Sequence, residues 1–147
     1  MKSRAYNGVI RSKLVHLQET LAELRRWPLG SVTEFKKNKL HQYAVERALQ
    51  VCAEVVIDVC QRILALEQAP PAETAAGSVE RAAELGVLAS AATYADIVRF
   101  RNFVVHRYEQ VDPLSLYEIA TRQLGCFDEF VTEIMRFMEL RRGTRHT

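Results

Sequence analysis

Apolar residues recur at steps of three and four over most of this chain, and no stretch alternates with the period of two that a strand requires. In the first such stretch Ile10, Leu14, Leu17, Leu21 and Leu24 form one stripe. In the last, Leu116, Ala120, Leu124, Phe127, Val131, Ile134 and Met138 do the same. A face of this kind is buried only against other helices, so the pattern points to an all-α protein.

Three breaks divide the helical stretches: Trp27-Pro28-Leu29-Gly30-Ser31, Ala69-Pro70-Pro71-Ala72-Glu73 and Asp112-Pro113. They predict a first helix over residues 2 to about 27 and a second from about Glu34 to Leu66. On the second, Tyr43, Arg47, Val51, Val55, Asp58, Arg62 and Leu66 walk down one side, with Ala44, Ala48, Cys52 and Val59 beside them. A short third helix is expected near Val79–Leu85, with Ser78 leading into its first turn and Gly86 as the stop. The fourth spans about Ala91 to Val105. The fifth opens with Asp112 as N-cap and Pro113 at the first helical position, and runs to about Arg141. Long helices joined by short loops favour antiparallel neighbours, hence an up-and-down four-helix bundle with one extra short helix. With 147 residues the chain suits a single domain over 1–147, and the tail over about 142–147, which lacks periodicity, is expected to be disordered.

Hydrophobic residues make up 48% and charged residues 26%, a balance that excludes a disordered chain. A net charge of +2 is too small to mark a nucleic-acid binder, so any footprint for RNA must be local or built by two copies. Cys52 and Cys60 stand about 12 Å apart along a helix axis, too far for a disulfide within it. With Cys126 they read as buried small hydrophobes in a reducing compartment. No signal peptide and no membrane-length apolar run is visible, so the expected location is the cytoplasm. No metal-ligand spacing appears and no cofactor is expected; His16 and His41 read as surface residues.

The chemistry concentrates in Val98–Asp112, where Arg101, Asn102, His106 and Tyr108 surround an apolar Phe103-Val104-Val105 wedge. An imidazole titrates near neutrality and suits general acid/base work, the role open to His106. A guanidinium stays cationic and offers a planar donor fork to phosphate, the role open to Arg101. Asn102 can position either. On an ideal helix Arg101 and His106 lie about 140° apart, whereas Asn102 aligns with His106. Either the helix ends near Val105 and swings His106 round, or a second chain supplies the partner. One imidazole per chain performs one proton transfer well, which favours two chains.

Arg-x4-His-x-Tyr, with Asn straight after the Arg, resembles the motif of HEPN domains, in particular the HepT-like toxin branch. Leu40–Ile63, with its Val-x-Arg-x-Leu-Gln core, resembles that family's long second helix, and Glu80–Leu88 resembles its third. The resemblance covers most of residues 35 to 141, and is weakest in the first helix and the 67–77 linker. It implies a HEPN-like homodimer that cleaves RNA without a metal at the cleft between subunits, as the toxin of a toxin–antitoxin pair. The partner it implies is an MntA-like nucleotidyltransferase antitoxin, and Tyr108 stands where that family accepts adenylylation. AMP there would bring negative charge and bulk beside Arg101. The alternative is a non-catalytic HEPN helper that binds substrate for a nucleotidyltransferase; a purely structural adaptor is a third reading.

Arg47, Glu54 and Asp58 sit on the otherwise apolar second helix. Buried charges are costly unless paired, so they form either an internal ion-pair network or an exposed edge. In the functional version, one of them orients Arg101 or lines the RNA cleft. The clusters Arg25-Arg26, Lys36-Lys37-Asn38-Lys39 and Arg141-Arg142 read as solvated faces, able to meet RNA phosphates only if the cleft lies beside them.

Overall fold

The structure, a computed structural model, describes residues 6–106 and 109–146, with side chains from residue 8 to residue 141 outside that gap. A π-helical turn, Tyr6–Ile10, leads into α1, Arg11–Arg26. There follow α2, Val32–Lys36; α3, Lys39–Leu66; α4, Ala75–Glu84; α5, Ala95–His106, entered through a 3-10 turn at Ala92–Tyr94; α6, Pro113–Arg122; and α7, Gly125–His146. Among the described residues there is no strand.

Contacts between the helices give their directions. Lys13, early in α1, pairs with Asp58, late in α3, so these two run antiparallel. As the chain passes from Arg101 to Val111, its partners on α3 retreat from Glu54 to Glu46, which makes α5 antiparallel to α3 as well. Asp128 of α7 meets Arg25 at the end of α1, and Arg141 meets Glu67 at the end of α3. The result is the expected up-and-down bundle, with α1, α3, α5 and the α6–α7 pair as its four long members.

Two expected long helices are each divided in two, and caps explain the first division. Ser31 accepts from the Glu34 N–H at 3.2 Å, in the Ser-x-x-Glu pattern of a helix start, so a helix begins at Val32. Asn38 then leaves helical geometry at ψ 92° and its side chain accepts from the His41 N–H at 3.0 Å, starting α3 afresh. The last stretch divides at Gln123, where α6 ends; its apolar stripe nevertheless stays buried from Leu116 to Met138. Asp112 caps α6 with Pro113 in its first turn, as read. α4 begins earlier than read, because Thr74 and not Ser78 accepts the capping N–H, from Gly77 at 2.9 Å. Gly86 does end that region, at φ +82°, a conformation that suits a residue without Cβ. α7 runs to His146, and Thr147, the last residue of the stretch read as an aperiodic tail, lies outside the described residues.

The stripe on α1 is buried throughout. The stripe read on α3 is rotated from the true one. Tyr43 is 56% exposed and Arg47 is exposed, while Gln42, Val45, Leu49, Cys52, Val56 and Ile63 are buried. α3 is packed by α1, α4, α5 and α6 at once, so apolar residues occur around most of its circumference and do not single out one face. Cys52 and Cys60 are buried inside it as free thiols, and burial pushes each up to about 12. Tyr94 packs edge-on against Phe130, ring centres 5.5 Å apart, and its hydroxyl donates to the buried Glu133 carboxylate. Glu133 also accepts the Ala89 N–H at 2.8 Å, tying the segment ahead of α5 to α7.

Candidate functional site

The site grows from the pairing of α5 with α3. Ile97 and Val98 bury the first turns of α5, and past them Arg101 emerges half-buried with its side chain 24% exposed. Its Nε–H donates to Oε1 of Glu54 at 2.9 Å, and its Nη1 donates to Oδ1 of Asn102 at 3.1 Å. A guanidinium has five N–H groups, so three remain without a partner among the described residues. The carboxylate fixes the plane of the fork and the Asn side chain fixes its rotation. What is left over is a group of aimed donors, suited to an oxyanion.

Asn102 matters for a second reason. Arginine only donates, so the atom of Asn102 that meets it must be the amide oxygen, and the Nδ2 donors face elsewhere. Asn102 and His106 lie four residues apart and share a face of α5. His106 is the last residue of the helix and is exposed, with no hydrogen bond to another described residue. The expected break after Val105 does not occur before His106, because the helix runs through it. The backbone therefore keeps Arg101 and His106 on different sides. The long Arg101 side chain crosses part of that separation by bending onto Asn102. Tyr108, with Arg107, lies outside the described residues.

Of the three charged residues singled out on α3, one belongs here. Glu54 holds Arg101. Asp58, four residues on, is instead held by Lys13 at 2.7 Å and Arg62 at 3.0 Å. Burial opposes its ionisation, but hydrogen bonds from those two cations outweigh burial and keep its carboxyl below the ordinary value. Arg47 is exposed and, among the described residues, reaches only Gln50, at 3.4 Å.

Sequence reasoning missed the struts beyond the motif. Gln42, buried on α3, donates to the carbonyls of Phe35 and Lys36 and accepts from Gln110 at 3.2 Å. Glu46 accepts the Val111 N–H at 3.0 Å. Together they hold the chain leaving the site against the start of α3. A polar amide among buried positions would have stood out had the buried face of α3 been assigned correctly. The basic clusters differ in their surroundings. Arg25 pairs with Asp128, and Arg141 pairs with Glu67 and lies over the Phe137 ring, whereas Lys36, Lys37 and Lys39 are exposed at the α2–α3 corner. Among the described residues no three His, Cys, Asp or Glu side chains gather as a metal-binding group, and no helix is long and apolar enough to cross a membrane.

Comparison with known proteins agrees with this fold. The fold is similar to that of the tri-AMPylated HEPN toxin of Shewanella oneidensis, solved in complex with MNT antitoxin. That likeness has 21% identity and a TM-score of 0.78, and covers 88% of this chain and 98% of that one. A toxin–antitoxin structure with AMP-PNP is similar at 20% identity and a TM-score of 0.77, covering 86% and 97%. A mutant MntA toxin–antitoxin complex is similar at 21% identity and 0.75, with the same coverage. None of the curated proteins matches the sequence. Residues 17–134, the span from within α1 to within α7, match the family described as Ribonuclease HepT-like, and the chain belongs to that family.

Proposed function

We propose that this chain is the toxin of a toxin–antitoxin pair, a metal-independent endoribonuclease that works as a homodimer and is silenced by a nucleotidyltransferase antitoxin. The observation that carries the proposal is the Glu54–Arg101–Asn102 chain of hydrogen bonds, with His106 on the Asn102 face of the same helix.

In this reading the free Nη donors of Arg101 hold the scissile phosphate and stabilise charge as it builds on the phosphoryl oxygens. His106 takes the proton from the neighbouring 2′-hydroxyl. The 2′-oxygen then bonds to phosphorus and the bond to the 5′-oxygen breaks, leaving a 2′,3′-cyclic phosphate. The departing 5′-oxygen needs a proton, and the imidazole of a second copy supplies it. Asn102 positions the Arg101 fork through its amide oxygen. Arg47 and Asp58 take no part. Exposed Leu40, Tyr43 and Val105, on the two helices that carry the site, favour a second copy seated there. Tyr108, two residues beyond His106, is the acceptor for AMP, whose phosphate competes with RNA for Arg101. The solved relatives support this reading, since one is a tri-AMPylated toxin and all three reported above are complexes with an antitoxin.

Two measurements test it. Expression of the chain alone should arrest growth, and His106→Ala should restore it; a chain that is harmless at high expression is not a toxin. Intact-mass spectra after co-expression with a nucleotidyltransferase encoded beside it should show additions in steps of AMP. Additions unaffected by Tyr108→Phe would place the modification elsewhere.

A further inference from the structure

Between α4 and α5 lies a groove of about 280 Å³ that the reaction described above does not use. Ala76 and Val79 of α4 and Ala95 and Val98 of α5 give it apolar lining, and its polar groups are Glu80, Arg99 and Asn102. The face of α5 that lines it steps from Ala95 through Val98 to Asn102, and the next position on that face is His106. The groove therefore opens onto the proposed catalytic residues at their Asn102 end.

Its size and chemistry are specific. Drug-sized ligands fill pockets of about 300–1,000 Å³, so this groove has room for one planar ring system and little more. Alanine and valine walls present flat apolar surface to such a ring. Asn102 has its oxygen committed to Arg101, so it brings only donors to the groove. Glu80 is exposed and makes no ion pair with another described residue, so its carboxylate brings only acceptors. Arg99 is engaged by Asp96 at the rim, where its plane can cover a ring from the solvent side.

We infer that this groove is the base-binding subsite of the enzyme and that it selects an unpaired guanine beside the cleaved bond. This rests on the ribonuclease reading above and names the feature of the RNA that the site recognises. Guanine alone offers two adjacent N–H donors, N1 and N2, to both oxygens of the Glu80 carboxylate, with its O6 acceptor left for Asn102. Adenine turns a ring acceptor toward Glu80. Asn102 has its oxygen turned toward Arg101, which disfavours the paired contact that amides make with adenine.

The test uses the purified full chain and short oligoribonucleotides that carry guanine, adenine or an abasic ribose beside a single cleavable bond. The wild type should cleave the guanine substrate on the order of tenfold faster in kcat/KM than the adenine one, the discrimination expected of one good paired contact. Glu80→Gln should remove most of that preference. Ala76→Leu, an exposed helical position at which leucine is well tolerated, should narrow the groove and erase the advantage of either base over the abasic ribose. Cleavage of all three substrates at equal rates by the wild type overturns the subsite and leaves the ribonuclease reading standing. So does a guanine preference that survives both variants. No cleavage of any substrate, or of long RNA, overturns both.

Discussion

Glu54 and Asp58 are one helical turn apart on α3, and their fates differ. Glu54 faces α5 and holds a single arginine, Arg101, of whose five N–H donors three have no partner among the described residues. Asp58 faces α1 and is enclosed by two cations, Lys13 and Arg62. In the second case both cations converge on the same oxygen, Oδ2, and neither is held by a second side chain among the described residues, so their other donors are not aimed at a common point. In the first, one carboxylate oxygen orients a guanidinium without exhausting it. An ion pair is a candidate site when it leaves directed hydrogen-bonding capacity over, and a surface strut when it does not.

The contrast can be broken at three points. The largest effect is expected at Arg101. Arg101→Ala should lower RNA cleavage by about 10²–10³-fold, the loss typical when a donor to a developing oxyanion is removed. Arg101→Lys should recover little of it, because an ammonium cannot use Glu54 and Asn102 as two fixed points for a planar fork. Single-turnover rates on one RNA would check both.

Glu54→Gln comes next. The neutral amide still accepts from Nε–H, but the charge-assisted bond is weakened, and a loss of about tenfold in cleavage is expected. Because Glu54 acts through Arg101, the substitution should have no further effect in an Arg101→Ala background. A double-mutant cycle measures this, and additive losses would show that Glu54 acts independently.

The smallest effect belongs to Asp58→Asn. Cleavage should match the wild type, and stability should fall by less than about 1 kcal/mol, as for other partly exposed pairs. The pH dependence has a definite sign. The Asp58 carboxyl is held below its ordinary value in the folded protein, so its contribution is present above the unfolded value of about 4 and is lost as pH falls through the lower, folded value. Thermal unfolding of wild type and Asp58→Asn should therefore differ at pH 7 and converge in acid.

The same two carboxylates show where sequence reading reached its limit. Both stood out as charges in an apolar helix, but four residues apart they share much of one face, and their partners are distant in sequence. Only the placing of α1 and α5 around α3 separates them. The stripes of α1 and α6–α7 were legible because each packs on one side. That of α3 was not, since a helix surrounded by neighbours loses the contrast on which periodicity depends. The division at Asn38 was written locally, as an amide cap, but a continuing run of good helix formers hid it. Within the motif, Arg101, Asn102 and His106 were visible as residue types. That Asn102 accepts from Arg101 was not, because the link depends on a side-chain bend and not on helical phase.

The most direct test of the account is cleavage of RNA by the purified protein in EDTA, with wild type and His106→Ala compared at equal concentration and matched thermal stability. The account predicts that the wild type cleaves without added metal to give 2′,3′-cyclic phosphate ends, and that His106→Ala is slower by about 10²–10⁴-fold. A His106→Ala protein that cuts as fast as wild type, or a wild type inert until a divalent metal is restored, would contradict it.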